Sequence, residues 1–593
     1  MGMDFSDWGR AARPEYPRPQ MVRDEWLNLN GQWDFEIDTG DSGRARGLQE
    51  AQNLSGRIMV PFCPESRLSG VEHLDFMPAV WYRREITLPA HWLENGRRVL
   101  LHFGAVDYET EVWLNGRQAG THRGGYTPFT FDITPLLAGR TNTLTLCARD
   151  DVRSGLQPKG KQSAEFASHD CDYSRTTGIW QTVWMECVGE RYIAGLQYRP
   201  DPDNGCLYVH ADLAGDTDGL MLRARASIRG VPAGEVSARV TGGLAELRLP
   251  LSEIRLWNPG DPHLYDIELL LGDAAGMAAG GFCDRVTGYF GLRSVALRGG
   301  AIEINHRRVF QRLVLDQGFY PDGIYTAPSD KDIRRDIELS MGLGFNGARM
   351  HQKVFDPRYL YWADQLGYLV WGEFASWGLD ITGPRGLERF LPEWLESVRR
   401  DFNSPALVGW CPFNETWDLD GAKQDDEVIR IVYETTKMLD PSRPVIDTSG
   451  NFHVETDVFD IHDYEQDPDV FAQKFEAMKA GGEAYNTFPQ RQKYEGQPYF
   501  VSEYGGIWWN PGQQDGKAWG YGNRPRSEGE FLRRYEGLTN ALLDNPAVCA
   551  FCYTQLYDVE QEVNGLLTYD RQPKFDSRVI RSVNQRRAAV EKP

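Results

Sequence analysis

Across residues 81–184 apolar and polar positions alternate in short runs broken by tight turns, the period-two signature of strands with one buried face. Val99-Leu-Leu-His-Phe-Gly104 leads into Val106-Asp-Tyr-Glu-Thr-Glu-Val-Trp-Leu-Asn-Gly116, whose Asn115-Gly116 predicts a hairpin turn. A second alternating region spans 193–297, strictest in Leu220-Met-Leu-Arg-Ala-Arg-Ala-Ser-Ile228 and broken at Trp257-Asn-Pro-Gly-Asp-Pro262. Its length of about a hundred residues predicts an immunoglobulin-like sandwich.

After Asn305 the pattern changes to apolar runs separated by helical stretches. Strands are predicted at 309–316, 346–351, 368–373, 406–415, 445–449, 458–464, 499–503 and 547–555. Between the first two, Ser329 is placed to cap a helix carrying Ile333, Ile337 and Leu339 up to Gly342, and a later helix near 425–439 stops at Asp440-Pro441. Eight such strands predict a (β/α)8 barrel, whose functional groups sit at strand C-termini.

A chain of 593 residues exceeds one hydrophobic core, in line with several domains. The 41% hydrophobic and 25% charged residues are those of an ordinary soluble protein. A net charge of -21 repels phosphate backbones and anionic membranes, which excludes nucleic-acid and membrane partners. Nine scattered cysteines read as reduced thiols, and no signal peptide opens the chain, so a cytoplasmic location is expected. Gly2 with Ser6 fits a loose myristoylation pattern without a second anchor. Cys549 and Cys552 form a CxxC inside a strand run, where positions three apart face opposite ways, so neither metal nor cofactor is expected.

Two strand ends carry candidate chemistry. Gly409-Trp-Cys-Pro-Phe-Asn-Glu415 ends strand four, and Tyr499-Phe-Val-Ser-Glu-Tyr-Gly-Gly506 ends strand seven. In a barrel these ends face each other across the mouth. Glycoside hydrolysis with retention needs such a pair of carboxyls about 5–5.5 Å apart, one protonating the leaving oxygen and one attacking the anomeric carbon. Each Glu taken singly would also suit a structural carboxylate.

The chain resembles family 2 glycoside hydrolases over nearly its whole length. The resemblance is carried by Val106-Asp-Tyr, Trp113-Leu-Asn-Gly116, His122-Arg-Gly-Gly-Tyr126, Thr177-Gly-Ile-Trp-Gln181, Leu256-Trp-Asn-Pro-Gly-Asp-Pro-His-Leu-Tyr265, Asn414-Glu415 and Ser502-Glu503-Tyr504-Gly505. It implies a jelly-roll β-sandwich over 1–190, an immunoglobulin-like sandwich over 191–297 and a catalytic TIM barrel over 298–593. It also implies a retaining exo-glycosidase acting on an oligosaccharide or glycoside, with Glu415 as acid/base and Glu503 as nucleophile. Asn414 then resembles the amide that contacts the sugar 2-hydroxyl, and Tyr464 the tyrosine that hydrogen-bonds the nucleophile.

By strand-end position, His351, Glu373 and Asp316 are further candidates for reading hydroxyls, with structural roles as their alternatives. Trp508, Trp509 and Trp371 are placed either to stack on sugar or to line the barrel. Where the family often has Arg-x-Ser-His-Tyr-Pro, this chain has Arg349-Met-His-Gln-Lys353. The Asn-x-Lys element associated with glucuronidases is missing, and Trp508-Trp-Asn-Pro-Gly512 follows Glu503 instead. The expected activity is therefore β-galactosidase-like, with a furanosidase acting on arabinofuranose or galactofuranose, or a non-catalytic carbohydrate-binding relative, as alternatives. The oligomeric state stays open, a homo-oligomer included.

Overall fold

A computed structural model describes residues 12–416, 423–512 and 516–591; Gly2 and Ser6 lie outside them. The first sandwich packs a six-stranded sheet on a four-stranded one. Trp33, Tyr82, Leu101, Phe103, Leu146 and Met185 fill the space between the sheets, each such burial stabilising by about 1.5–3 kcal/mol. The predicted hairpin joins Glu109–Leu114 to Arg117–Arg123. Asn115 and Gly116 take φ of 52° and 75° there, the left-handed pair that a two-residue turn demands.

The second sandwich packs a three-stranded antiparallel sheet on a four-stranded one. Met221–Ile228 alternates partly exposed and buried positions along its length, so Leu222, Ala224 and Ile228 enter a core with Leu247 and Ile267. The alternation read from the sequence is thus the alternation of burial.

The barrel strands are β1 (Gln311–Asp316), β2 (Gly347–Met350), β3 (Leu369–Glu373), β4 (Leu407–Cys411, extended by Phe413–Asn414), β5 (Thr448–Ser449), β6 (Phe459–Asp463), β7 (Tyr499–Gly505) and β8 (Val548–Thr554). Seven of them form one parallel curled sheet in the order β4-β3-β2-β1-β8-β7-β6. The short β5 pairs with the extension of β4 and occupies the remaining gap. Nearly all strand residues are buried on both faces, which is why these runs read as continuously apolar rather than alternating. Helix α1 (Asp330–Gly342) begins after Ser329, but the Ser329 hydroxyl donates to Asp332 Oδ2 at 2.6 Å instead of accepting a backbone N–H. An acidic residue in the first turn has captured the expected cap.

One segment of the first sandwich reaches the C-terminal mouth of the barrel. Lys159 N donates to the Trp377 carbonyl at 2.7 Å. At Gly160, φ is +55° and a Cβ would stand 2.2 Å from the Gln352 carbonyl, so only glycine permits this approach. Further along, Gln561 Nε2 donates to the carbonyls of Asp170 and Asp172 at 2.8 and 3.0 Å, and the Tyr173 hydroxyl donates to Glu562. The sandwich therefore walls one side of the mouth.

Candidate active site

Strand β7 turns Glu503 into the mouth with 4% of its surface exposed. Arg349 Nη1 lies 3.2 Å from its Oε1, His462 Nε2 lies 3.5 Å from the same oxygen, and Tyr464 donates its hydroxyl to Oε2. Burial alone would push this carboxyl up. His462, His351, Arg349 and Tyr464 together outweigh burial and hold it down to about 2, so it is an ionised, desolvated carboxylate.

Glu415 follows β4 across the mouth. Its φ is 43°, a left-handed conformation costing a non-glycine residue of order 1–3 kcal/mol. Its N–H donates to the Ser449 carbonyl at 2.9 Å, which secures the turn. The side chain meets His462 Nδ1 at 2.6 Å. Glu415, His462 and Glu503 present carboxylate or ring atoms all within 4.8 Å of one another. By donor type that trio could hold a metal, yet His462, Arg349 and Tyr464 already engage its carboxylates.

Several expected residues converge here. Asn414 Oδ1 accepts from Arg349 Nη2 at 3.0 Å, while its Nδ2 is buried without a hydrogen-bond partner among the described residues. Glu373 is wholly engaged, taking Arg349 Nη2 at 2.6 Å on one oxygen and Gln352 N at 3.0 Å on the other. His351 Nδ1 stands 2.9 Å from Glu373; burial dominates and moves its pKa down. Tyr464 stacks on Tyr521 at 3.5 Å between ring centroids.

Others are engaged by different neighbours. Trp371 is fully buried, and its Nε1 donates to Gln311 Oε1 at 2.7 Å, so it lines the barrel interior. Asp316 is buried and accepts from Gly318 N at 3.0 Å and from Tyr359 and Tyr557, which turns it toward the loop after β8. Trp509 packs toward Phe531. Trp508 stays half-buried in the loop after β7, beneath Arg524.

The sequence reading passed over Arg349, His462, Lys161, Tyr521 and Glu562 as site residues. Arg349 had a signal, because it lies two positions before His351 in the predicted strand 346–351 and would share its face there. Lys161 had none, coming from another domain. It is buried, stands 4.2 Å from the Trp377 ring centroid and has no carboxylate within 4.0 Å among the described residues. Burial would lower its pKa, but Cys171, Glu562, Glu415 and Glu503 together raise it. Glu562, held by Tyr173 and Asn564, is itself shifted up, chiefly by burial.

Residues 69–186 match the model of the glycosyl hydrolases family 2 sugar binding domain, and residues 295–588 match that of the family 2 TIM barrel domain. The β-glucuronidase of Felis catus is 28% identical over 490 residues, covering 74% of this chain and 71% of that protein. The human β-glucuronidase is 27% identical over 486 residues, covering 74% and 70%. Among solved structures, the Ruminococcus gnavus β-glucuronidase complexed with an N1-substituted uronic isofagomine superposes with a TM-score of 0.78 at 19% identity, covering 97% of this chain and 100% of that one. The Bifidobacterium dentium β-glucuronidase complexed with coumarin-3-O-glucuronide gives 0.79 at 21% identity, covering 95% and 98%.

Proposed function

Because the chain belongs to glycosyl hydrolase family 2 and is a retaining glycoside hydrolase, we propose that Glu503 is its nucleophile and Glu415 its acid/base in an exo-acting β-glycosidase of β-galactosidase-like specificity. The observation that carries this reading is that Glu415 and Glu503 each bring one carboxylate oxygen to within 4.8 Å of the other's. Retention calls for carboxyls about 5–5.5 Å apart, whereas inversion needs about 6.5–9.5 Å to seat a water. The contacts of Glu503 suit attack by a carboxylate that stays ionised. Those of Asn414 suit a substrate hydroxyl, since its buried Nδ2 donor is left unpaired. The sandwich segment along one side of the mouth supports removal of a terminal sugar.

For a neutral sugar the support is electrostatic. Arg349 and His462 are paired with carboxylates, and the charge of Lys161 is opposed by Glu562, Glu415 and Glu503. The second reading, a β-glucuronidase, is favoured by the relatives named above, and Lys161 would then face the uronate. Nitrophenyl glycosides of galactose, glucose, mannose, glucuronate, arabinofuranose and galactofuranose separate these readings. Highest kcat/KM on the galactoside is expected; highest on the glucuronide or on a furanoside overturns the galactosidase-like assignment.

A further inference from the structure

His462 bridges the two carboxylates, and the assigned function gives it no task. Its ring is set by packing: Gly450 has φ of +88°, and a Cβ there would stand 2.5 Å from Nδ1, so glycine alone lets the imidazole lie against β5. Nδ1 faces Glu415 Oε1 at 2.6 Å, and Nε2 faces Ser449 Oγ at 3.1 Å.

The hydrogen bonds around Ser449 decide what the ring carries. Ser449 gives its hydroxyl proton to Asp460 Oδ2 at 2.6 Å, so toward His462 it can only accept, and Nε2 must bear a proton. The second ring nitrogen faces a carboxyl, and one proton lies between them: on Nδ1, opposite an ionised Glu415, or on Glu415, opposite a neutral ring. The charged groups facing the ring are Glu415 from the end of β4, Glu503 from β7 and Arg349 from β2, with Asp460 behind Ser449. Burial disfavours the imidazolium, but Glu503 and Glu415 outweigh burial and Arg349, and the net direction for His462 is upward.

We propose that His462 is a positioning residue that stores the acid/base proton, so that Glu415 and His462 work as one proton-sharing pair. In the first step Glu503 Oε bonds to the anomeric carbon as the glycosidic C–O bond breaks. The departing oxygen takes the proton from Glu415, and the His462 Nδ1 proton is the one that supplied it. In the second step water bonds to the anomeric carbon, the bond to Glu503 breaks, and the water proton passes to Glu415 and back to Nδ1. Protons and bonds balance over the cycle. Because the proton delivered to the leaving oxygen is held on His462, the alkaline limb of kcat/KM should depend on His462.

The proposal rests on Glu415 being the acid/base, which chemical rescue of Glu415→Ala by azide tests separately. Its own test is the charge of His462 in the free enzyme, read by NMR of protein labelled at its 11 histidines, with the signal assigned by its loss in His462→Asn. An imidazolium with a proton on Nδ1 is expected at neutral pH, and Glu415→Gln should lower its titration midpoint by a unit or more. A ring without an Nδ1 proton just below the ordinary histidine range, or a midpoint indifferent to Glu415→Gln, overturns it. Kinetically, folded His462→Gln should shift the alkaline limb acidward and lose at least tenfold more rate on substrates with poor leaving groups than on activated aryl glycosides. A loss equal for both, with the limb unmoved, would show that His462 only supports the structure.

Discussion

Arg349 stands 3.2 Å from Glu503 and spends its other terminal nitrogen on Glu373 at 2.6 Å. One guanidinium fork thus spans β7 and β3 from its seat on β2, and all three side chains are buried. Breaking such an assembly leaves uncompensated charge in a low-dielectric site, which costs about 3–5 kcal/mol.

Arg349→Met should therefore destabilise the protein by about that amount near neutral pH. The sign with pH follows from Glu503 and Glu373, both held below the ordinary carboxylate range once burial is outweighed. Depressed carboxyls contribute stability above their unfolded pKa and lose it as pH falls through the folded value. The gap in Tm between wild type and variant should then narrow as pH falls from about 5 to about 2. An equal gap at both would refute the ionic account.

Glu503→Gln should abolish turnover of every substrate, with a loss of about 10⁴-fold or more, because an amide cannot form the covalent glycosyl-enzyme. In the unmodified protein an activated fluoro-sugar should add its mass to the peptide bearing Glu503. Labelling elsewhere would remove Glu503 from the role.

For Glu415→Ala the two chemical steps should separate. Good leaving groups depart without a proton, while hydrolysis of the intermediate still lacks its base. Stopped-flow traces on activated aryl glycosides should show a burst followed by slow turnover, and azide should restore the rate. A product other than glycosyl azide of retained configuration would exclude Glu415 as acid/base.

Lys161→Met tests the part supplied by the first sandwich. Losing one charge-assisted hydrogen bond to substrate, about 1.5–3 kcal/mol, should cut kcat/KM by roughly 10–100-fold. Because no ion pair of Lys161 is broken among the described residues, Tm should fall little. A large drop in Tm with unchanged kinetics would make Lys161 a structural residue.

The pattern of the chain was enough for the order of two sandwiches and a barrel, since period-two burial and doubly buried parallel strands leave different hydrophobic spacing. It also located Glu415 and Glu503, because strand ends after apolar runs must face a barrel's mouth. Only the tertiary structure could decide which neighbours engage them. Arg349 reaches Glu503 on a strand three places away in the sheet, His462 comes to lie between the carboxylates because Gly450 lacks a Cβ, and Lys161 enters from a domain about 250 residues upstream of Glu415. Trp371 and Asp316 lie on the same barrel strands that bring other side chains to the mouth, yet Gln311, Tyr359 and Tyr557 claim them. Periodicity depends on the nearest residues in the chain and is written locally. Hydrogen-bond partnership and electrostatic field depend on distances in space, which are set only when the barrel closes and the sandwich docks on its rim.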